Sequence, residues 1–157
     1  MTNPTALILA GGVGKRFWPL TTDKALFDFA GRPLISYITD DLKAAGITNL
    51  VIVANLANQA RLASLYPQAK ITVQTKPIGM ADAILTAQEL ISGPVLIVNA
   101  GDLVAPIAID PAQICLTGLI TTQFLPAGYF KLAGNKPVAI IEKPAEADRP
   151  SNLVKLV

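Results

Sequence analysis

The chain has no histidine, a single cysteine and few charges: Asp, Glu, Lys and Arg make up 15% of its 157 residues. Without histidine, Ser-His-Asp hydrolysis, Cys-His chemistry and histidine-ligated zinc are excluded within this chain. One cysteine cannot build an internal disulfide, which favours a reducing compartment. Cys115, set in Gln113-Ile114-Cys115-Leu116, reads as a packing residue with no histidine to activate it. The 13 basic against 11 acidic residues leave a net charge of +2, too small and too scattered for binding nucleic acid by bulk electrostatics. Met1-Thr2-Asn3-Pro4 lacks the basic-then-apolar pattern of a secretory leader. The most apolar stretch, Val95 to Thr122, is interrupted by Asn99, Asp102, Asp110 and prolines, so no membrane span is expected. The expectation is a soluble cytoplasmic protein with no nucleic-acid or membrane partner.

What the chain does have is core-forming material. With 52% hydrophobic residues over 157 positions, a single domain of this size buries roughly 68–70% of its unfolded surface and needs no disulfide or metal staple. No repeat, low-complexity tract or linker divides it, so one domain over residues 1–157 is expected.

Short β-branched runs alternate with longer helix-compatible stretches, the pattern of a parallel sheet with crossover helices. Thr5–Leu9 reads as the first strand and runs into a glycine-rich loop, Ala10 to Gly14. Pro33 is expected to open a helix through about Ala45, with Leu34, Ile35, Ile38, Leu42 and Ala45 on one face and Gly46 as its C-cap. A strand at Leu50–Val53, a helix around Gln59–Leu65 and a strand at Lys70–Val73 follow. Gly79 precedes a helix from Met80 to about Leu90 with Ala83, Ile84, Ala87 and Leu90 as its apolar stripe, and Pro94–Val98 reads as a buried strand. From Gly118 the spacing tightens into strands Leu119–Phe124, Gly128–Leu132 and Val138–Ile141, the last two joined at Gly134-Asn135 as an antiparallel hairpin added to the sheet.

In an open parallel sheet, ligands sit beyond the carboxyl ends of the strands, which puts the loops after Leu9, Val73 and Val98 on one rim. The first loop, Gly11-Gly12-Val13-Gly14-Lys15-Arg16, fits neither common phosphate motif. A dinucleotide fingerprint from Gly12 needs Gly or Ala where Phe17 stands, and a P-loop needs Gly where Leu9 stands and Ser or Thr where Arg16 stands. What remains is glycine backbone able to approach a ligand, exposed amides for anionic oxygens, and the cations Arg16 and Lys24. That is polyphosphate chemistry; an ordinary tight turn with solvated basic residues is the alternative.

Read at full length, Leu9-Ala10-Gly11-Gly12-Val13-Gly14-Lys15-Arg16-Phe17-Trp18-Pro19-Leu20-Thr21, then Lys24, then Gly31-Arg32-Pro33-Leu34-Ile35, resembles the opening signature of sugar-1-phosphate nucleotidyltransferases, also called nucleotide-sugar pyrophosphorylases. Phe17-Trp18-Pro19-Leu20 looks most like mannose-1-phosphate guanylyltransferases, with glucose-1-phosphate thymidylyltransferases also near. Gln74 through Ala83, Gly101-Asp102 and Ile141-Glu142-Lys143-Pro144 match in order, so the resemblance runs from Leu7 to Pro144. It implies an α/β class, a Rossmann-like three-layer α/β/α nucleotidyltransferase (GT-A-like) fold, mostly parallel with the added hairpin. The implied reaction joins a nucleoside triphosphate and a sugar 1-phosphate into a nucleotide sugar with release of pyrophosphate.

The resemblance also implies roles. Arg16 and Lys24 are the catalytic cations that neutralise triphosphate and departing pyrophosphate. Ala10, Gly11, Gly12, Gly14, Gln74 and Gly79 bind nucleotide, and Gly128, Glu142 and Lys143 bind sugar phosphate. Asp102 holds Mg²⁺. Taken alone, Gln74 reads as a solvated strand end, Asp102 as the cap of a turn or helix, Glu142-Lys143 as a solvated strand end, and Trp18 as packing under the loop. Self-association into a homo-oligomer stays open.

The chain departs from the family in three respects, two of them at Asp23-Lys24. Asp23-Lys24 stands where members usually carry Pro-Lys, with a shorter spacing from Arg16, so Lys24 is expected to be presented differently. Asp23-Lys24-Ala25-Leu26 is similar to molybdenum-cofactor guanylyltransferases, against which Phe17 to Leu20 and Glu142-Lys143-Pro144 stand. The family's second metal-binding aspartate lies beyond the Glu-Lys-Pro motif. Pro150 to Leu156 resembles the beginning of a family helix, and the chain stops at Val157. The expectation is a fold truncated at its C-terminus that carries part of an active site; a noncatalytic nucleotide- or sugar-phosphate-binding module is the competing reading.

Overall fold

The computed structural model describes residues 3–12, 23–76, 78–102, 116 and 118–155. These belong to two compact units, Met1–Ala108 and Ile109–Val157.

The first unit is built on four short strands: β1 (Thr5–Leu9), β4 (Asn49–Ala54), β5 (Lys70–Val73) and β6 (Val95–Asn99). They form one parallel sheet in the order β5-β4-β1-β6. β1 is bonded on both sides, with Leu7 opposite Val51 and Ile97, and Leu9 opposite Val53 and Asn99. That central place explains why β1 reads as an unbroken apolar run: Ala6, Leu7 and Ile8 are fully buried.

A two-strand ladder, β2 (Asp28–Phe29) with β3 (Arg32–Pro33), comes before α1 (Ile35–Ala44). Helices α2 (Gln59–Leu65) and α3 (Met80–Thr86) complete the crossovers. Steps from β1 to β4 and from β4 to β5 run one way along the sheet, and the step from β5 to β6 runs back past β1. Right-handed crossovers then put α1 and α2 on one face and α3 on the other. The apolar packing agrees: Leu7, Val51 and Val53 cluster with Ala83 and Ala87, while Ile35, Ile38, Leu42 and Leu62 are buried on their own helices. The reversal of direction falls between β1 and β6, and there the crevice at the carboxyl edge opens.

Strands Thr5–Leu9 and Lys70–Val73 and helix Gln59–Leu65 fall where the sequence predicts them. Gly46 sits just past α1 with φ +78°, and the amides of Ala45 and Gly46 bond back to Asp41 and Lys43 carbonyls, so the helix stops on a left-handed residue.

Several expectations are corrected. Pro33 does not open α1: it pairs with Asp28 in the short ladder, where its missing N–H costs nothing, and the helix begins two residues later. The helix after Gly79 ends at Thr86, followed by a 3₁₀ turn at Gln88–Leu90. Thr86 Oγ1 donates to the Asp82 carbonyl at 2.8 Å, and the Ala87 amide bonds three residues back to Ile84, which tightens the last turn. The third correction concerns the C-terminal segment of the second unit. Residues 153–155 form a strand rather than the start of a helix.

The second unit is an antiparallel sheet in the order β7-β10-β8-β9, made of β7 (Gly118–Ile120), β8 (Gly128–Ala133), β9 (Lys136–Glu142) and β10 (Leu153–Lys155). The hairpin at Gly134-Asn135 forms as β8 and β9, but it belongs to this antiparallel sheet and is not added to the parallel one, because β8 pairs with β10. β10 fills the gap between β7 and β8; Val154 there is 1% exposed and stands opposite Tyr129, and Tyr129 and Phe130 are buried as well. Ser151 Oγ donates to the Phe130 carbonyl at 2.6 Å, which turns the chain into that slot. The stretch read as Leu119–Phe124 ends as a strand at Ile120, where the Thr121 amide bonds the Asn152 carbonyl. Tyr129 Oη donates to the Leu125 carbonyl and accepts from the Leu125 amide, fixing the bend before β8.

Among the described residues no helix is long and apolar enough to cross a membrane. Because Leu7 is fully buried between two strands and α3, Leu7→Ala should cost about 2–5 kcal/mol in urea unfolding, from lost transfer energy plus the cavity.

Candidate functional site

The parallel sheet delivers its carboxyl-end loops to one rim: Ala10–Gly12 after β1, Asn55–Asn58 after β4, Gln74–Gly79 after β5 and Ala100–Asp102 after β6. Gly14 and Arg16 lie outside the described residues, as do Phe17, Trp18 and Cys115.

The first turn is crowded on one side and open on the other. Ala10 is buried, its amide bonds the Val53 carbonyl at 2.8 Å, and its own carbonyl accepts from Asn58 Nδ2 at 2.8 Å. Its backbone therefore holds the loop in place. Gly11 is packed so closely that a Cβ there would lie 3.2 Å from both the Ala54 carbonyl oxygen and Gln74 Oε1. Gly12 is exposed, and among the described residues nothing lies within 4 Å of a Cβ position there, so that side of it is open.

Gln74 is 6% exposed, not a solvated strand end. Its amide N–H bonds the Ala54 carbonyl, and its Nε2 donates to the Gly79 carbonyl at 3.0 Å and to Asp82 Oδ2 at 2.7 Å. Both side-chain donors are thus committed within the protein, leaving Oε1 against Gly11. Gln74 braces the β1 turn against the head of α3. Gly79, with φ +144°, makes the entry to α3.

Lys24 opens a 3₁₀ turn, Lys24–Leu26, capped by Asp23. Its side chain lies across Gly101: a Cβ on Gly101 would fall 2.7 Å from Lys24 Cε and 2.9 Å from Nζ. The structure thereby brings Lys24 to the turn that carries Asp102. The Asp102 carboxylate accepts from the Asn99 amide at 3.1 Å and from Asn99 Nδ2 at 2.8 Å, both on Oδ2. It closes a turn and keeps its position at the end of β6.

Sequence reading missed Asn55, Asn58 and Asp82. Asn55 and Asn58 bond Asp23, and Asp82 anchors Gln74. The signal for the asparagines was a pair of turn-forming residues spaced by three directly after a strand; Asp82 lay inside a recognised segment with no role given to it.

In the second unit, Gly128 stands opposite Glu142 in the β8–β9 ladder, and a Cβ on Gly128 would meet Glu142 Oε2 at 2.8 Å. Lys143 follows with φ +47°, its amide bonded to the Ala127 carbonyl. Gly128, Glu142 and Lys143 are therefore neighbours at one end of the hairpin. Away from these groups, a side-chain hydrogen bond from Arg32 to Asp40 raises the Arg32 guanidinium pKa further above its ordinary value.

Comparison with known proteins decides the family. A model of the nucleotidyl transferase family matches residues 5–114. The chain belongs to this family. Among curated nucleotidyltransferases, the mannose-1-phosphate guanyltransferase of Emericella nidulans is 31% identical over 107 residues, covering 60% of this chain and 29% of that protein. The bifunctional protein GlmU of Methanococcus maripaludis is 26% identical over 157 residues, covering 95% of this chain and 38% of that protein. The chain thus spans about a third of the length of the curated relatives it matches. In fold, it is similar to the UDP-glucose pyrophosphorylase of Acinetobacter baumanii, with a TM-score of 0.78 at 17% identity over 99% of this chain and 73% of that one. It is also similar to a UDP-glucose pyrophosphorylase complexed with UDP-glucose, with a TM-score of 0.71 at 18% identity over 98% and 74% of the two chains. The nucleotidyltransferase fold expected from the sequence is the fold of this chain.

The two glycines of the β1 turn should respond differently to a methyl group. Gly11→Ala should destabilise by about 1–3 kcal/mol through overpacking against Ala54 and Gln74, whereas Gly12→Ala should stay within about 0.5 kcal/mol. Urea unfolding of both variants measures this contrast.

Proposed function

We propose that this chain carries out, or supplies the nucleotide-holding part of, nucleotidyl transfer from a nucleoside triphosphate to a sugar 1-phosphate. The supporting observation is the convergence of Gly11, Gly12, Lys24, Gln74 and the Gly101-Asp102 turn at the carboxyl edge of β1, β5 and β6 in a member of the nucleotidyl transferase family. The named relatives include a mannose-1-phosphate guanyltransferase and UDP-glucose pyrophosphorylases, which act on this class of substrate.

In the proposed reaction a phosphate oxygen of the sugar 1-phosphate attacks the α-phosphorus of the triphosphate. A new phosphorus–oxygen bond forms, the bond to the β-phosphate oxygen breaks, and pyrophosphate leaves with the electron pair. No covalent enzyme intermediate and no histidine are needed, because alignment and charge stabilisation lower the barrier. The open backbone at Gly12 lets phosphate oxygens approach the amides. The Lys24 ammonium offsets charge gathering on the leaving pyrophosphate, a role in which Arg16 joins it. Gln74 keeps the turn in shape for the base, its amide N–H and both side-chain N–H groups being held within the protein. Glu142 accepts hydrogen bonds from sugar hydroxyls and Lys143 faces the sugar's phosphate as a compact cation.

Nucleotidyltransferases of this family generally use divalent metal ions. Among the described residues no group of three acidic, histidine or cysteine side chains could cage such an ion. One carboxylate still suits Mg²⁺, which keeps several waters and takes most other ligands from substrate phosphates. Asp102 is the residue that would hold it, and the ion would neutralise phosphate charge. The reading assigns the chain to the cytoplasm, where nucleoside triphosphates are plentiful.

The test is pyrophosphate release by the chain with Mg²⁺, several nucleoside triphosphates and a set of hexose 1-phosphates. Turnover with at least one pair is expected, falling about 10- to 1,000-fold in Lys24→Ala through loss of a charge-stabilising donor. Triphosphate binding without pyrophosphate from any pair would make the chain a binding module instead.

A further inference from the structure

We propose that Asp23 is a positioning residue for Lys24, held by Asn55 and Asn58 so that the lysine side chain lies over the Gly101 turn; its value for phosphate binding rests on the function proposed above. Asp23 Oδ1 accepts from the Ala25 amide at 2.9 Å, and its backbone carbonyl accepts from the Leu26 amide at 3.1 Å. Lys24 lies between these two anchors. Asp23 Oδ2 accepts from Asn55 Nδ2 at 3.0 Å and from Asn58 Nδ2 at 2.9 Å. The segment bearing Lys24 is thereby tied to the loop that follows β4.

The tie is specified down to amide orientation. Asn58 is fully buried; its Oδ1 accepts from the Asn55 amide at 2.9 Å, and its Nδ2 donates to the Ala10 carbonyl as well as to Asp23. Asn55 Oδ1 accepts from the amides of Ala57 and Asn58. Turning either amide over would set oxygen against oxygen and orphan buried donors. Two side-chain NH₂ groups therefore converge on one oxygen, and a third donor, the Ala25 amide, needs the other oxygen. A carboxylate satisfies all three; an asparagine has one oxygen and would set its NH₂ either against the Asn55 and Asn58 NH₂ groups or against the Ala25 N–H. Through Asn58 the same carboxylate is one bond away from the Ala10 carbonyl, so the β1 turn and Lys24 share one anchor. From that anchor the end of the Lys24 side chain lies over Gly101, where a Cβ would meet its Cε and Nζ.

The test follows Lys24 directly, with and without nucleotide. In the wild-type chain the two Lys24 Hε protons, fixed against Gly101, should give separate NMR resonances. In Asp23→Asn they should merge. Asp23→Ser keeps an oxygen for the Ala25 amide but drops the tie to the asparagines; it should merge them too and covers the case in which Asp23→Asn does not fold. Asp23→Asn/Asn55→Asp, which restores a donor–acceptor pair with its sense reversed, should recover the separation in part. Titration with GTP, UTP and dTTP in Mg²⁺ should show Asp23→Asn weakening triphosphate binding about tenfold when Lys24 is present and less than about twofold in a Lys24→Ala background. Unchanged Lys24 resonances in both Asp23 variants, or an equal loss of affinity with and without Lys24, would overturn the proposal. If the wild-type chain binds none of the three triphosphates, the proposed function fails, and the Lys24 resonances still decide the positioning role by themselves.

Discussion

The carboxyl end of β1 is held from every side. Its last residue, Leu9, is laddered to Val53 and Asn99, its carbonyl takes the Ala100 amide, and the next residue, Ala10, is bonded to the Val53 carbonyl and to Asn58. The chain must then leave the sheet past the Ala54 carbonyl and Gln74, through a space that a methyl group would crowd. Glycine at position 11 is the consequence. The arrangement of the rim follows: Gln74 is buried because it walls this turn, Asp82 is needed because Gln74 must be oriented, and Asn58 is needed because the Ala10 carbonyl would otherwise be a buried acceptor without a donor.

A rim made this way is stiff where backbone meets backbone and open where a ligand would arrive. Gly12 has space at its Cβ position among the described residues, and Lys24 projects from a short capped turn across Gly101. Preorganisation of this kind suits phosphoryl chemistry, in which the protein has little covalent work and gains most from charges already in place. The reversal of strand order between β1 and β6 supplies the crevice, so the fold and the candidate site share one topological cause.

Much of this was legible in the sequence, for identifiable reasons. β1 and α2 are bounded by glycine, asparagine and proline signals that local chemistry enforces, and both, with β5, lie where they were read. Where tertiary pairing decides, the reading slipped. Pro33 carries a helix-opening signal, yet pairs with Asp28. Leu153–Lys155 is short and carries no strand signature apart from its place between β7 and β8. At the site, Gln74 and Asp102 were singled out through the family resemblance, but their partners were not, because hydrogen bonds between residues such as Asp23 and Asn58 are set by the fold and leave no periodicity. The departure at Asp23-Lys24 was visible as an anomaly; the carboxylate's use became visible in the bonds it accepts from Asn55 and Asn58.

The central claim is that nucleoside triphosphate binds at the carboxyl edge of the parallel sheet. Backbone amide shift mapping of the chain titrated with GTP and Mg²⁺ addresses it most directly. The account predicts that the largest perturbations fall on Gly11, Gly12, Gly79 and Gly101. Perturbations concentrated in residues 118–155, or none at millimolar nucleotide, would contradict it.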